Sequence, residues 1–338
     1  KFSVLETRTT HSQTVTHYCR EQKKDRNMNS RQLAKMWPYP RHKEFENELR
    51  TSASLWFANK GFAVHNKMPY CLDKWDNWRK NIILPEISDY IEDFKNKSEV
   101  ESKPFPLHKY IHHGLSSQAM VFNLIGALIT RNDLSPLIDL LKSKGISDLE
   151  LINHAEFEYE DRNIFNEDTG QPTSIDLVLF ENKNKPKIFI ESKLVEAEFG
   201  GCSVFKKGDC AGQNPINDKA ECYLHFIGRK YWELIEKYGF DEKLKAEKIC
   251  VFVNYYQFFR EILLSLEKDG TFVLLHDERS PVFNYSANGK TKGLIPLLLD
   301  FVPEKHKDRI ILISVQEVVS SISKHKKHKD WIEEFKNK

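Results

Sequence analysis

Asp176, Glu191 and Lys193 are the residues of this chain whose types and spacing could do chemistry. They lie in two apolar runs, residues 173–180 and 187–194, separated by the polar stretch 181–186. Two such runs joined by turn residues read as a β-hairpin. Side chains alternate along a strand, so Glu191 and Lys193 fall on one face. A carboxylate from one strand, with a carboxylate and an amine from its neighbour, can converge on one small volume. That volume suits Mg²⁺ or Mn²⁺, hard cations that take oxygen ligands and keep several waters. A metal-polarised water can in turn attack a phosphodiester. Lys193 could orient that water or help to deprotonate it, because burial or a nearby cation lowers a lysine pKa. The bland alternative is a set of surface charges on an edge hairpin. Glu191 argues against it, since it interrupts an apolar strand where a charge needs a partner.

Further candidates surround this hairpin. Glu158 lies on the preceding strand, in an alternating run with Glu156 and Glu160, and is the candidate for a further catalytic or metal-binding acid. A solvated acidic face is its alternative. Gln118 could reach the site from a preceding helix, and Lys206 and Lys207 could meet a nucleic-acid backbone. Glu196 follows the second strand and could bond a basic partner. The aromatic run 255–259 and Tyr231–Trp232 could stack on bases, although most such aromatics pack in cores. His276 opens a charged stretch that reads as a salt-bridged turn.

Six cysteines are present. Cys202, Cys210 and Cys222 fall close together in sequence, with His225 at CxxH spacing from the last. Three thiolates and an imidazole form a good tetrahedral Zn²⁺ set, so these four are a candidate structural zinc site; unligated thiols are the alternative. Cys19, Cys71 and Cys250 read as structural or incidental. No Ser/His/Asp elbow and no phosphate-binding glycine loop is found.

These residues require a frame. Residues 41–62 and 72–94 read as helices, the second interrupted by Pro85. The charged stretch 96–104 reads as a linker or exposed loop. A buried helix begins at Ser116 or Ser117, and another covers 134–144. Strand signals follow at 149–159, in the hairpin, at 248–254, at 271–275 and at 309–314, with helices at 218–238 and 257–268. The alternation argues for an α/β layer fold with a mixed central sheet. The organisation expected is a basic arm at 1–50, a helical extension at 51–100, a catalytic domain at 101–323 and a basic tail at 324–338.

Bulk properties narrow the class. The chain has 338 residues, 40% of them hydrophobic and 30% charged, with a net charge of +2. That is the composition of a globular protein rather than a uniformly basic nucleic-acid coat. Residues 1–50 carry 11 Lys and Arg against 6 Asp and Glu, a local excess of +5. No apolar run approaches the roughly 18–20 residues of a membrane helix, and no secretion signal opens the chain. Reduced cysteines and a cytoplasmic location are therefore expected.

The hairpin resembles the PD-(D/E)xK nuclease superfamily. Asp176 matches the first acid of its pattern and Glu191-Ser-Lys193 the (D/E)xK triplet; Ile175 stands where the pattern has proline. Ser116 to Gln118 with Phe122-Asn123, the Phe157 to Tyr159 strand, Glu196, Phe199, Cys202, and Arg279 to Pro281 with Phe283 are similar to a bacterial branch of restriction-endonuclease-like nucleases, over about residues 55–320. The resemblance implies a restriction-endonuclease-like three-layer core, preceded here by a mainly helical region. It implies Mg²⁺-dependent hydrolysis of DNA, in restriction or antiviral defence. Possible partners are other subunits of a defence complex or a second copy in a homodimer. Two rival readings stand beside it: a nucleic-acid-binding module with this fold and little activity, and a zinc-stapled interaction subunit.

Overall fold

The computed structural model describes residues 42–100, 105–287 and 289–338; most of the basic arm read at 1–50 lies outside them. Helix α1 (His42–Asn59) leads into a small hairpin, β1 (Val64–His65) and β2 (Met68–Leu72). A 3-10 turn at Trp75–Asn81 is followed by α2 (Pro85–Val100), α3 (Ser117–Thr130) and α4 (Ser135–Ser143). Strands β3 (Ile152–Glu160), β4 (Ser174–Glu181) and β5 (Lys185–Lys193) come next. Short helices then give way to α5 (Tyr231–Lys237) and α6 (Phe252–Glu267). The chain closes with β6 (Thr271–His276), a minor hairpin, α7 (Leu294–Asp300), β7 (Ile310–Ser314), α8 (Val315–Ser323) and α9 (Lys329–Asn337).

One five-stranded sheet organises the whole, in the order β3-β4-β5-β6-β7. The β3–β4 and β4–β5 pairs are antiparallel, and β5–β6 and β6–β7 are parallel. The catalytic hairpin inferred from the sequence is therefore β4–β5. Its turn places Asn182 and Lys183 at φ 51° and 68°, the left-handed backbone that tight hairpin turns demand. Strand β5 is central and buried on both faces. Ile188 and Ile190 pack on one side with α2, α3, α8 and α9. Phe189 packs on the other with α5, α6 and α7. Helix, sheet and helix form the three layers of a restriction-endonuclease-like fold.

Local chemistry explains the helices nearest the site. The Ser116 side chain caps α3 by accepting from the Ala119 amide at 3.2 Å. Helix α3 is apolar nearly all round because it is enclosed by α2 and the sheet. Ser314 and Glu317 form a reciprocal capping box at α8.

Several boundaries differ from the sequence reading. Pro85 does not interrupt a helix but opens α2, where its missing N–H costs nothing. Helix α2 then runs to Val100, into the stretch read as a linker. Residues 248–254 do not form a strand. Ile249 makes one isolated bridge to Gln213, and Phe252 already begins α6. A continuous apolar run fits a buried helix as well as a buried strand, and α6 is buried along most of its length. The stretch 218–238 is mainly helical as read, but in three pieces: a 3-10 turn at Lys219–Glu221, a short helix at Tyr223–Phe226 and α5. The stretch read as a basic tail at 324–338 is helical and packed against the domain. Trp331 and Ile332 of α9 are 1% exposed and belong to the main core, while Arg131 pairs with Asp330 at 2.6 Å. Trp78, Ile82, Ile87 and Ile91 join the same core, so residues 75–100 pack as part of the sheet's helical layer.

Candidate active site

Glu191 and Lys193 point from β5 toward α6, as strand alternation requires. Their cross-strand partners on β6 are Leu274 and His276. Asp176 lies on β4, one residue beyond the Leu177–Ile190 pair. Its Oδ2 accepts the Ser192 backbone N–H at 2.8 Å. That bond fastens the open end of the hairpin and aims the carboxylate toward Glu191.

Glu158 reaches the same place by a local break in β3. Its φ is 54°, a conformation that non-glycine residues seldom adopt. Across this residue the strand changes face: Ala155 and Phe157 pack in one core layer, Tyr159 against the other. Glu158 is thereby separated from Glu156, which pairs with His154 at 2.9 Å. Gln118 Nε2 donates to Glu158 Oε1 at 2.5 Å and the Ser174 hydroxyl to Oε2 at 3.2 Å. Gln118 also holds the chain ahead of α3, donating to the Pro106 carbonyl at 2.9 Å and accepting from the His108 amide at 2.8 Å.

Helix α6 supplies two groups that the sequence reading did not assign to the site. Gln257 Nε2 donates to Glu191 Oε1 at 2.7 Å, and its Oε1 accepts from Lys193 Nζ at 3.1 Å. Lys193 itself hydrogen bonds Glu191 and lies 5.6 Å from the Phe199 ring centre. Glu261, one turn beyond Gln257, is 1% exposed, and neither of its oxygens has a well-formed hydrogen bond. Gln257 and Glu261 share a helix face. Polar side chains four apart in an otherwise apolar helix were the available signal. The helix comes close because Gly201 lets it: a Cβ there would stand 2.3 Å from the Val253 carbonyl oxygen.

The electrostatics follow from burial and crowding. Burial first, and then the Asp176 charge, push Glu158 up to about 8. Burial, followed by Asp176, raises Glu191 to about 7 against the opposing pull of Lys193. Asp176 is raised by burial, with Lys193 opposing. Glu261 is raised well above the usual carboxylate range by burial and by Glu191. Burial alone would lower Lys193, but Glu191 and Glu261 outweigh it and hold the ammonium above its ordinary value. The sequence expectation of a lowered lysine is therefore reversed: carboxylates, not cations, are its neighbours.

Asp176, Glu191, Lys193, Glu158 and Gln118 thus come together, with Gln257 and Glu261, in one cleft of about 1650 Å³. Lys207 also lines that cleft, as do Arg50 and Lys109. Lys206 pairs with Glu198 at 3.7 Å. Glu196 accepts from Ser117 Oγ at 2.6 Å and from the Leu194 amide at 2.7 Å, so it ties α3 to the end of β5. His276 is buried against the Asp277 carbonyl, and Asp277 pairs with Arg279 at 2.6 Å, which makes this stretch a salt-bridged turn. In the aromatic run 255–259, Tyr256 lines the cleft while Phe258 and Phe259 are core. Tyr231 also lines the cleft, and Trp232 packs in the core.

Cys202, Cys210 and Cys222 line one small cavity of about 30 Å³ together with Cys250; His225 does not line it. Cys250, in the turn into α6, takes the place expected of His225 in that lining, and the expected set of Cys202, Cys210, Cys222 and His225 does not bring three ligand atoms within 4.8 Å of one another. No disulfide joins the described cysteines. Among the described residues, the three or more potential ligands whose atoms all lie within 4.8 Å of one another are Cys71, His112 and His113. No described helix is long and apolar enough to cross a membrane.

The donor chemistry of Asp176, Glu191 and Glu158 suits a divalent cation, while among the described residues no three of these carboxyls bring their oxygens within 4.8 Å of one another. Four carboxyls are held within range of one another's charge with Lys193 as the ammonium among them; burial is the first cause of every raised carboxyl, and for Glu158, Glu191 and Glu261 a neighbouring carboxylate is the second. All the donors are oxygen, which suits Mg²⁺ or Mn²⁺. Such a site can neutralise a phosphate and expose it to water.

Residues 50–338 match a family model described as Restriction Endonuclease associating with ARP. No curated protein and no solved structure matches the chain.

Proposed function

Because the chain belongs to this restriction-endonuclease family, we propose that it is a Mg²⁺-dependent endonuclease that hydrolyses DNA phosphodiester bonds in restriction. The observation that carries this reading is the convergence of Asp176, Glu191, Lys193 and Glu158 on the floor of one cleft. Asp176 and Glu191 would hold the metal, with Glu158 as a further ligand or a partner to its waters. When bound, the metal supplies charge for the phosphate and lowers the pKa of water.

The remaining duties belong to side chains. Lys193 is fixed by Glu191 and Gln257, so its ammonium can donate to a non-bridging phosphate oxygen without rearranging. Gln257 sets the separation of Lys193 and Glu191. Gln118 orients Glu158. Arg50, Lys109 and Lys207 line the cleft and would meet neighbouring phosphates, a sequence-independent contact. The family's name speaks of association with ARP; we extend that association to this chain as a partner of the nuclease.

The test is incubation of purified protein with plasmid DNA and Mg²⁺ or Mn²⁺, with RNA in parallel. Cleavage of DNA by the wild type, and its loss by at least ~10³-fold in Asp176→Ala, is the expected result, the scale of losing an electrostatic catalytic group. Equal cleavage by the variant would remove Asp176 from the site. Cleavage of RNA alone would move the substrate. Plating of DNA phage on cells carrying either form tests the restriction role.

A further inference from the structure

We propose a second metal site, a zinc site built by Cys71, His112 and His113, which fastens the N-terminal hairpin to the segment that leads into the active site. The backbone brings these residues together. Cys71 on β2 and His113 form an isolated antiparallel bridge. Leu72 N–H donates to the His112 carbonyl at 3.1 Å and Gly114 N–H to the Tyr70 carbonyl at 2.8 Å. Paired residues of an antiparallel bridge project to the same side, so the thiol and the His113 ring meet. The His112 ring lies 4.5 Å from that of His113. One ligand atom from each residue falls within 4.8 Å of the others.

The turn is held rigidly before any ion arrives. Asn81, fully buried, donates to the carbonyls of Ile111 and His113 at 2.8 Å each. The ligands are also uncommitted. His112 Nδ1 is buried without a hydrogen-bond partner, and a buried imidazole nitrogen left unpaired costs free energy unless something fills it. The Cys71 thiol makes one long contact, to the Leu72 carbonyl at 3.4 Å.

One thiolate and two imidazoles select Zn²⁺ over Mg²⁺, because soft sulfur and nitrogen donors suit it and carboxylate oxygen is absent from the set. Zinc is usually four-coordinate, so one position remains. His108 and His65, both near enough to influence His113, are the further imidazoles; a water from the adjoining cleft is the other source. His113 lies three residues before the Ser116 cap of α3, and α3 carries Ser117 and Gln118 to Glu196 and Glu158. Zinc here would steady that approach from outside the catalytic carboxylates.

The test uses the full chain and two readouts other than cleavage. Zinc content would be measured after dialysis against trace zinc for wild type, Cys71→Ser, His113→Ala, His65→Ala, His108→Ala and Cys222→Ser. The expected result is one zinc equivalent lost in Cys71→Ser and in His113→Ala, with Cys222→Ser unchanged in that equivalent. His65→Ala and His108→Ala, treated alike, separate the imidazole sources of the fourth ligand from water. In case Cys71→Ser misfolds, Co²⁺ is titrated into the metal-free wild type and Cys222→Ser. A sulfur-to-cobalt charge-transfer band of single-thiolate strength in both supports the site. Zinc content equal in wild type and Cys71→Ser, or a cobalt band that is absent or lost in Cys222→Ser, overturns it.

Discussion

Replacing Glu158 with glutamine is expected to stabilise the metal-free protein at pH 8 while weakening its response to Mg²⁺. Gln is nearly isosteric, its Oε1 can still accept from Gln118, and its amide can meet the Ser174 hydroxyl. Only the charge is removed. Glu158 is raised from 4.5 to about 8 by burial and by Asp176. Ionising it in the folded chain therefore costs on the order of 5 kcal/mol, at about 1.4 kcal/mol per pH unit. Water entering the cleft and relaxation of the neighbouring dipoles reduce this to about 2–3 kcal/mol.

The sign follows from the direction of the shift. A folded-state pKa above the unfolded one contributes stability that is complete below about 4.5 and is lost as pH rises through about 8. The wild type in chelator should thus lose stability from pH 5 to 8.5, and Glu158→Gln should lose clearly less. At pH 8 the variant should melt roughly 5–10 °C higher, given the 2–4 °C per kcal/mol usual for domains of this size. Added Mg²⁺ should close the gap by stabilising the wild type, which offers it one more carboxylate. Thermal melts in chelator and in Mg²⁺ at half-unit pH steps would measure this. Parallel curves for the two proteins would refute the crowded, cation-poor carboxylate set.

Other outcomes follow from the same contacts. Gln257→Leu removes the amide that bridges Glu191 and Lys193; kcat for plasmid cleavage should fall roughly 10–100-fold, the scale of losing a partner that orients ligands, while the melt in Mg²⁺ changes little. Trp331→Ala empties a fully enclosed site in the core and should cost about 3–5 kcal/mol in a denaturant titration. Glu196→Gln weakens the tie from β5 to α3 made through Ser117; amide exchange at the start of α3 should quicken. Unchanged exchange there would mean that Glu196 does not anchor the helix.

The hairpin was legible in the sequence because both kinds of evidence agreed there. Alternation fixed which side chains shared a face, and the polar turn fixed where the chain reversed. Glu158 was visible only as one of three alternating acids. What singles it out is a left-handed backbone in mid-strand, and no local pattern announces that. The strand expected at 248–254 failed for a related reason. Phe252 and Val253 favour strands by type, yet the segment is enclosed by other apolar residues and runs straight into α6. Burial on all sides erases the periodicity that would separate the two structures. Gln257 and Glu261 both fall within the helix expected at 257–268, so their shared face was legible; that this face meets Glu191 and Lys193 is a tertiary contact no local pattern announces.

Lys193 carries the lesson further, from geometry into chemistry. From the sequence, a buried lysine beside a metal suggests a lowered pKa and a base. In the folded chain its surroundings are Glu191, Glu261 and, farther off, Glu196 and Asp176, all of which favour the ammonium. In the metal-free chain a lysine so placed is held as the ammonium and is a hydrogen-bond donor. Proton acceptance on this reading falls to a carboxyl outside the pair that would hold the metal, and Glu158, pushed up to about 8 by burial and Asp176 in the metal-free chain, is the candidate general base. Lys193→Arg keeps the charge but not the compact point donor fixed between Glu191 and Gln257. Its effect should therefore fall on kcat, leaving the acid limb of the pH profile where the carboxyls put it. Movement of that limb in the arginine variant would return the proton-transfer role to the lysine.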